Sequence, residues 1–288
     1  MTLLIQSLIS GILVGGVYVL VGIGLSIIFG VMRIINFAHG DLLMLGMYLT
    51  WYLFHRLGID PYAALLVTLP LMFTWGALLQ KTLINRVLNA LPQNQILLTI
   101  GLGLIMRNSI MFAFTSDYHI LTTRYSSASL KFHGLSVSLP LLYSFLVTAV
   151  LVAMLFWFLG KTDIGQAIRA TAQDRTAARL MGINVERMSI LAFGIGTALA
   201  GAAGGLLAPT YYIFPDVGAA FTLKAFVIVV LGGMGSIAGA GIGGLAIGIT
   251  ESLAAAYVSS GLKELIVFVL FLGILLVRPA GLLGKSRA

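Results

Sequence analysis

The sequence predicts an all-α polytopic membrane protein of about eight or nine transmembrane helices, with broken or re-entrant elements and an inverted repeat. Three observations carry that reading. Of 288 residues, 59% are hydrophobic and 9% charged, against roughly 45–50% and 25% in soluble domains. Apolar runs long enough to cross a bilayer core of ~30 Å recur along the whole length. The Lys and Arg residues, which set a net charge of +8, fall mainly between those runs, where cytoplasmic loops account for them without nucleic acid. Zero cysteines excludes disulfides and thiolate metal ligands. The opening "MTLLIQSLISG" lacks a positive n-region, and its apolar run is too long for a signal peptide, so it reads as a first span. Residues 1–288 read as one transmembrane domain with a cytoplasmic loop at about 161–187.

In chain order the apolar runs are Leu3–Phe29, Phe37–Phe54, Pro61–Ile84, Ile96–Phe114, Leu139–Leu159, Met188–Leu207, Leu223–Gly235, Ile237–Val258 and Leu262–Val277. The seventh and eighth are one stretch interrupted by "GGMGSIAGAGIGG", countable as one span or two. The loop after the fifth run carries Lys161, Arg169, Arg175, Arg179 and Arg187 and belongs in the cytoplasm. Alternation then puts Arg33, Lys81 and Arg86 inside and the N-terminus outside. The tail, with Arg278, Lys285 and Arg287, also belongs inside. That needs an odd number of crossings, so the glycine-rich break is a reversal and the count is nine. Arg56, Arg124, Lys131 and, at the boundary, Lys263 remain outside.

Two spans are too short. At 1.5 Å per residue, Leu223–Gly235 reaches only about 20 Å, and Leu42–Phe54 reaches no further. The breaks "GGMGSIAG" and "NFAHGD" are therefore drawn to membrane depth, where irregular backbone is tolerated only if protein buries it or a cavity solvates it. A faint similarity between "FGVMRIINFAHGDLLMLG" and "LGGMGSIAGAGIGGLAIG" puts these breaks at corresponding places in two halves. The glycine pairs Gly11/Gly15, Gly201/Gly205, Gly239/Gly243 and Gly244/Gly248 have small-xxx-small spacing and suit close helix packing.

The polar residues leave alternatives open. His39 and Asp41 form either a wet interfacial turn or a gating element, and with no third ligand nearby they make no metal site. Arg107 and Glu251 either snorkel to the outer surface, face a pathway or pair with each other. Lys224 reads as an interfacial anchor. In "KTDIGQAIRATAQDRTAARLMGINVERM", Thr162 or Asp163 caps a helix, Asp174 falls in the first turn of a second, and Gly182 ends it. Ile164, Ala167 and Ile168 share a face there, which suits an amphipathic element docking into a partner. The tail "GLLGKS", Gly281–Ser286, is not a phosphate-binding loop, because Pro279 stands where its first glycine belongs.

"INFAHGDLLMLGMY", "GQAIRATAQDRTAARLMGIN", "KAFVIVVLGGMGSIAGAGIGGLAIGITESL" and "RPAGLLG", in that order over about residues 8–284, resemble the H-type permease subunit of branched-chain amino acid ABC importers. The resemblance implies a second related permease subunit, two cytoplasmic ATP-binding subunits and a periplasmic solute-binding protein as partners, in a bacterial inner membrane. It implies no cofactor and no enzymatic activity in this chain. It makes Gly165–Gly182 the segment that contacts the ATPase, with Gly165, Arg169, Asp174, Arg175, Arg179 and Gly182 as coupling residues. The broken elements around Asn36–Gly46 and Gly232–Gly244 then line the path, giving Asn36, His39, Gly40, Asp41, Gly232, Gly233, Gly235, Gly239 and Glu251 as candidates. Relatives of this family are associated with leucine-type and other amino acids, urea and short amides, and the spans show no clear carboxylate clamp. Branched-chain amino acids are the expected class. An ion-coupled secondary transporter is the rival reading, and it would need an acid cluster this chain does not offer.

Overall fold

The computed structural model describes residues 2–132, 134–278 and 281–283. Its helices are α1 (Thr2–Met32), α2 (His39–Leu57), α3 (Pro61–Leu79), α4 (Asn85–Val87), α5 (Pro92–Phe114), α6 (Leu139–Lys161), α7 (Asp163–Gln173), α8 (Arg175–Leu180), α9 (Val185–Leu207), α10 (Val217–Gly232), α11 (Ile237–Tyr257) and α12 (Lys263–Val277). A π-helical turn, Gln80–Ile84, runs α3 into α4. Among the described residues six helices are long and apolar enough to cross a membrane: α1, α3 with its continuation, α5, α6, α9 and α11. The shorter α2, α10 and α12 complete the nine expected segments. Local chemistry sets several boundaries. The Asp60 carboxylate accepts the Tyr62 N–H at 2.9 Å with Pro61 in the first turn of α3. Gly58, at φ 67°, closes α2.

Two features differ from expectation. Strands β1 (Ser129–Phe132) and β2 (Leu135–Ser138) pair antiparallel, Ser129 opposite Ser138, their sequences SLKF and LSVS alternating apolar with polar residues in runs too short to stand out beside the apolar spans. Helix α10 starts at Val217, six residues before the expected Leu223, because Pro215 and Asp216 interrupt the hydropathy just ahead of it. At 16 residues it still spans only about 24 Å.

Contacts sort the connections onto two ends of the bundle. At one end the Arg175 guanidinium donates to the Val31 carbonyl at 3.2 Å, Asn85 donates to Glu186 at 2.7 Å, and Gly235 packs on Gly30. The Leu282 and Leu283 N–H groups bond to the Leu231 and Gly232 carbonyls at the same end. At the other end Gln6 accepts from the Ser136 N–H, and His119 pairs with Ile213. The chain therefore enters at one end and reaches residue 283 at the other, as an odd number of crossings requires. Lys285 and Arg287 lie outside the described residues, as does the second half of "GLLGKS".

Helices α1 and α9 are buried along most of their length, while α3, α5 and α6 bury only one side. Glycine sets the close approaches. A Cβ on Gly248 would strike the Gly15 backbone, so the pairs on α1 and α11 interlock. The packing repeats between halves. Helix α1 lies along α11 as α9 lies along α3, α2 neighbours α3 and α5 as α10 neighbours α11 and α12, and α1 crosses α9 while α2 crosses α10. At both crossings the approach is reciprocal. A Cβ on Gly24 would lie 2.8 Å from the Gly196 carbonyl, and one on Gly196 2.6 Å from that of Gly24. Gly40 and Gly218 oppose each other in the same way. Because α1 ends where α9 begins, the halves run in opposite senses. This pairing corrects the correspondence read from sequence. The counterpart of the break before α2 is the break before α10, and "GGMGSIAG" matches instead the α2–α3 connection.

Candidate functional site

The break at residues 33–38 turns the chain back into the bundle. His39, buried, places Nε2 3.0 Å from the Val21 carbonyl, eleven residues back along α1 from Met32, or about 16 Å at helical rise. Helix α2 therefore starts deep inside, and α10 starts against it. The irregular backbone is held by protein groups, as a dry site demands. Asn36 Oδ1 accepts the Ala38 N–H at 3.1 Å, Thr99 Oγ1 accepts that of Phe37 at 3.3 Å, and Thr222 Oγ1 accepts that of Gly40 at 3.0 Å. Asn36, His39, Gly40 and Asp41 are all buried, which decides against the wet interfacial turn. Among the described residues His39 Nδ1 and Asn36 Nδ2 have no partner.

Where the two helix starts meet α5, an ion set forms. Arg107 donates from Nη2 to Asp41 Oδ1 and from Nη1 approaches Asp216 Oδ1, both at 3.2 Å. The side chain of Asp41 is 4% exposed, that of Arg107 22% and that of Asp216 64%, so the set runs from the interior to the surface of the chain. Two glycines make room for Asp41. A Cβ on Gly103 would collide with Oδ2, and one on Gly218 would sit 2.7 Å from Oδ1. The set opens on a groove of about 340 Å³, walled by Phe37, Ile100, Leu104 and Leu223, with Thr222 and Ala219 beside the charges.

Arg107 and Glu251 do not meet. Glu251 belongs to a second set, where Lys224 Nζ lies 3.0 Å and Lys263 Nζ 3.0 Å from Oε1, and Tyr18 donates to Oε2 at 2.8 Å. Tyr18 also bonds Tyr211, and Lys224 sits over the rings of Tyr18 and Phe221 at 5.4 and 5.6 Å. Lys224 is thus a buried partner and not an interfacial anchor. The residual space at this set is about 30 Å³, one or two waters at most.

The glycine run forms the α10–α11 reversal. Gly233 and Gly235, at φ 100° and 83°, take conformations closed to most side chains. Gly232 and Gly239 face each other so closely that a Cβ on either would meet the other's backbone, and Ser236 Oγ caps α11 by accepting the Gly239 N–H at 3.0 Å. This reversal sits at the Gly30 end of the bundle, fourteen residues along α10 from Gly218, away from the Asp41 groove.

At that same end α7 and α8 form a compact hairpin. Thr162, and not Asp163, caps α7 by accepting the Gly165 N–H at 3.0 Å. Gly165 packs on the Phe158 and Leu159 backbone. Asp174 is the cap of α8 and lies before its first turn, and the Ala177 and Thr176 N–H groups hold its carboxyl below the usual carboxylate range. Burial and the neighbouring Arg179 and Arg33 lower the Arg175 guanidinium from its ordinary value, and its bond to Val31 places a cation on the last turn of α1. Gly182, at φ 82°, ends the hairpin. Of the expected apolar face Ile168 is buried, Ala167 is partly covered and Ile164 is exposed. Arg169 and Arg179 are exposed. The residues that sequence reasoning did not single out are Leu180 and Met181, almost fully exposed at the tip, and Asp216 and Thr222, whereas Arg107, which the sequence offered as snorkelling, pathway-facing or paired, is paired with Asp41 and lines the groove. Two apolar residues beside a glycine turn were a visible signal for the first pair.

An inverted pair of broken helices, a charged groove where their N-termini meet and a helical hairpin at one end define a membrane transport subunit. A family model described as the permease component of branched-chain amino acid transport systems matches residues 7–277. The chain belongs to that family. It is 32% identical to the high-affinity branched-chain amino acid transport permease LivH of Escherichia coli K12, over 98% of this chain and 96% of the relative. It is 30% identical to the corresponding permease BraD of Pseudomonas aeruginosa over the same shares, and 31% identical to a probable LivH of Methanocaldococcus jannaschii over 96% and 91%. No solved structure matches the chain.

Proposed function

We propose that this chain forms half of the translocation path of an ATP-driven importer for branched-chain or related amino acids. It acts as one transmembrane permease domain in the bacterial inner membrane, with the N-terminus outside and the C-terminus in the cytoplasm. The observation that carries the reading is the groove in which α2 and α10 both begin at depth, closed by this chain on one side and open on the other. A second related permease would complete it. The hairpin α7–α8 presents Arg169, Arg179, Leu180 and Met181 beyond the bundle, a surface suited to one of two ATP-binding subunits. The same end gathers Arg33, Lys81, Arg86, Lys161 and Arg187, which supports its cytoplasmic orientation. The opposite end is left to a periplasmic solute-binding protein. ATP hydrolysis resides in the partner.

The test is uptake of labelled leucine by proteoliposomes holding the permease pair, the ATP-binding subunits and the binding protein. Uptake should require internal ATP and every component. If the purified chain alone accumulates leucine on an ion gradient, a secondary transporter replaces this reading; if urea or a short amide is carried and leucine is not, the substrate class falls. Coupling is tested by Gly182→Val, which forces a β-branched residue to positive φ, and by charge reversal at Arg175 and Arg179. Both changes should lower uptake per ATP hydrolysed with membrane insertion intact.

A further inference from the structure

The path reading leaves open what the groove recognises, and its charges answer in chemical terms. We infer that Arg107, Asp41 and Asp216 form a transit site for the zwitterionic headgroup of an amino acid, the carboxylate meeting Arg107 and the ammonium meeting Asp216. This inference rests on the proposed path.

Three features carry it. The charges are mixed: Asp41 and Arg107 line a groove of about 340 Å³, room for a small solute, and Asp216 meets Arg107 from beside it. Their accessibility is graded: buried Asp41 holds Nη2 and fixes the guanidinium, while Asp216, mostly exposed, holds Nη1 and can exchange. An incoming carboxylate takes the Asp216 position on Nη1, and the freed Asp216 carboxylate receives the ammonium, so the two ion pairs of the free set become three and no charge is left unpaired. The donor set of Arg107 is also unfilled, since its Nε is buried with no partner among the described residues.

The walls suit the rest of such a molecule. Phe37, Ile100, Leu104 and Leu223 are apolar and line the same groove as Asp41 and Arg107, which matches an aliphatic side chain on a polar head. The set carries one positive and two negative groups, so a net anion is disfavoured, whereas a zwitterion satisfies both signs. A neutral amide or urea leaves the ion pairs unused. The Glu251 set contrasts with this one, because its charges are mutually consumed in a space of about 30 Å³.

The chain has no cysteine, so Ala219→Cys introduces a single reporter in the groove. Labelling by a small water-soluble thiol reagent would be followed in the reconstituted full complex. Four probes separate the chemistries: leucine, leucinamide without the carboxylate, 4-methylpentanoate without the ammonium, and isobutyramide without either charge. Leucine should slow labelling, and each analogue should need about tenfold or more higher concentration for the same protection, the effect of losing one charged contact. Adding Arg107→Gln should shift leucine protection by a similar factor, and Asp216→Asn should do so with the complex assembled. Equal protection by all four probes would overturn the zwitterion site and leave the path standing. So would a reactive cysteine that leucine never protects. A cysteine inert in every nucleotide state of a complex that still transports would overturn the path reading itself.

Discussion

Two ion sets sit in one bundle and are built from the same kinds of residue, yet they are finished differently. Around Glu251 both lysines and the Tyr18 hydroxyl converge on one carboxylate, and the space beside it is filled. Around Arg107 a buried carboxylate holds one side of the guanidinium, and the other side reaches a groove. Removing an ion from water costs several kcal/mol, which mutual attraction offsets only in good geometry with further hydrogen bonds. The closed set meets that condition and ties α1, α10, α11 and α12 together. The open set meets it only on its Asp41 side, so its exposed half is free to interact with something else. Structure and transport should therefore separate between the two.

The largest expected effect comes from breaking the closed set at its centre. Glu251→Gln leaves buried Lys224 with only the more exposed Glu264 carboxylate, 3.7 Å from its Nζ, and takes from Lys263 its 3.0 Å partner, a loss of about 3 kcal/mol. Thermal unfolding of the purified complex should show it as a clear fall in midpoint. An unchanged midpoint would remove the closed set from the account of stability.

Arg107→Gln is the matching cut in the open set. It strands Asp41, yet the groove admits water to the neighbouring side, so about 2 kcal/mol is expected, below the Glu251 effect. Asp41→Asn in the same chain removes the stranded charge and should recover part of the midpoint without recovering leucine uptake. A double variant that transports normally would show the pair to be a staple and nothing more.

The sequence made much of the bundle legible and little of this contrast. Every expected apolar segment became a helix, since hydrophobic length and glycine spacing are local properties of the chain. Parity required the reversal at Gly232–Gly239, and the short second run announced that α2 begins at depth. The ion pairs are not local. Arg107 lies 66 positions from Asp41, and Asp216 stands in a connection whose proline and acid hid the start of α10. Lys224 looked like an anchor because hydropathy reports polarity and not partners. The true repeat, with Gly40 opposite Gly218, left little sequence likeness beyond the shared Gly-Ile-Gly at 22–24 and 194–196, which places Gly24 against Gly196, a short match easily lost among so many glycines.

The exposed partners give the smaller effects, and they sharpen the comparison. Lys263→Gln removes a lysine that still reaches solvent while Lys224 continues to hold Glu251. It should cost about 1 kcal/mol in unfolding and leave leucine uptake unchanged.

Asp216→Asn carries the smallest stability change and the clearest functional one. Its carboxylate is mostly exposed, so its pair with Arg107 contributes at most about 0.5 kcal/mol, and Arg107 keeps Asp41 as counter-ion. The unfolding midpoint should be within error of the parent. Uptake should respond differently, because asparagine offers the leucine ammonium no charge and no longer competes as an anion for Nη1. With the loaded binding protein saturating, uptake reads the transit step. The maximal rate should fall. A parent-like rate at a parent-like midpoint would make Asp216 a surface charge like any other. A lowered rate beside an unmoved midpoint separates the open set from the closed one by function, because Lys263→Gln moves the two quantities in the opposite pattern.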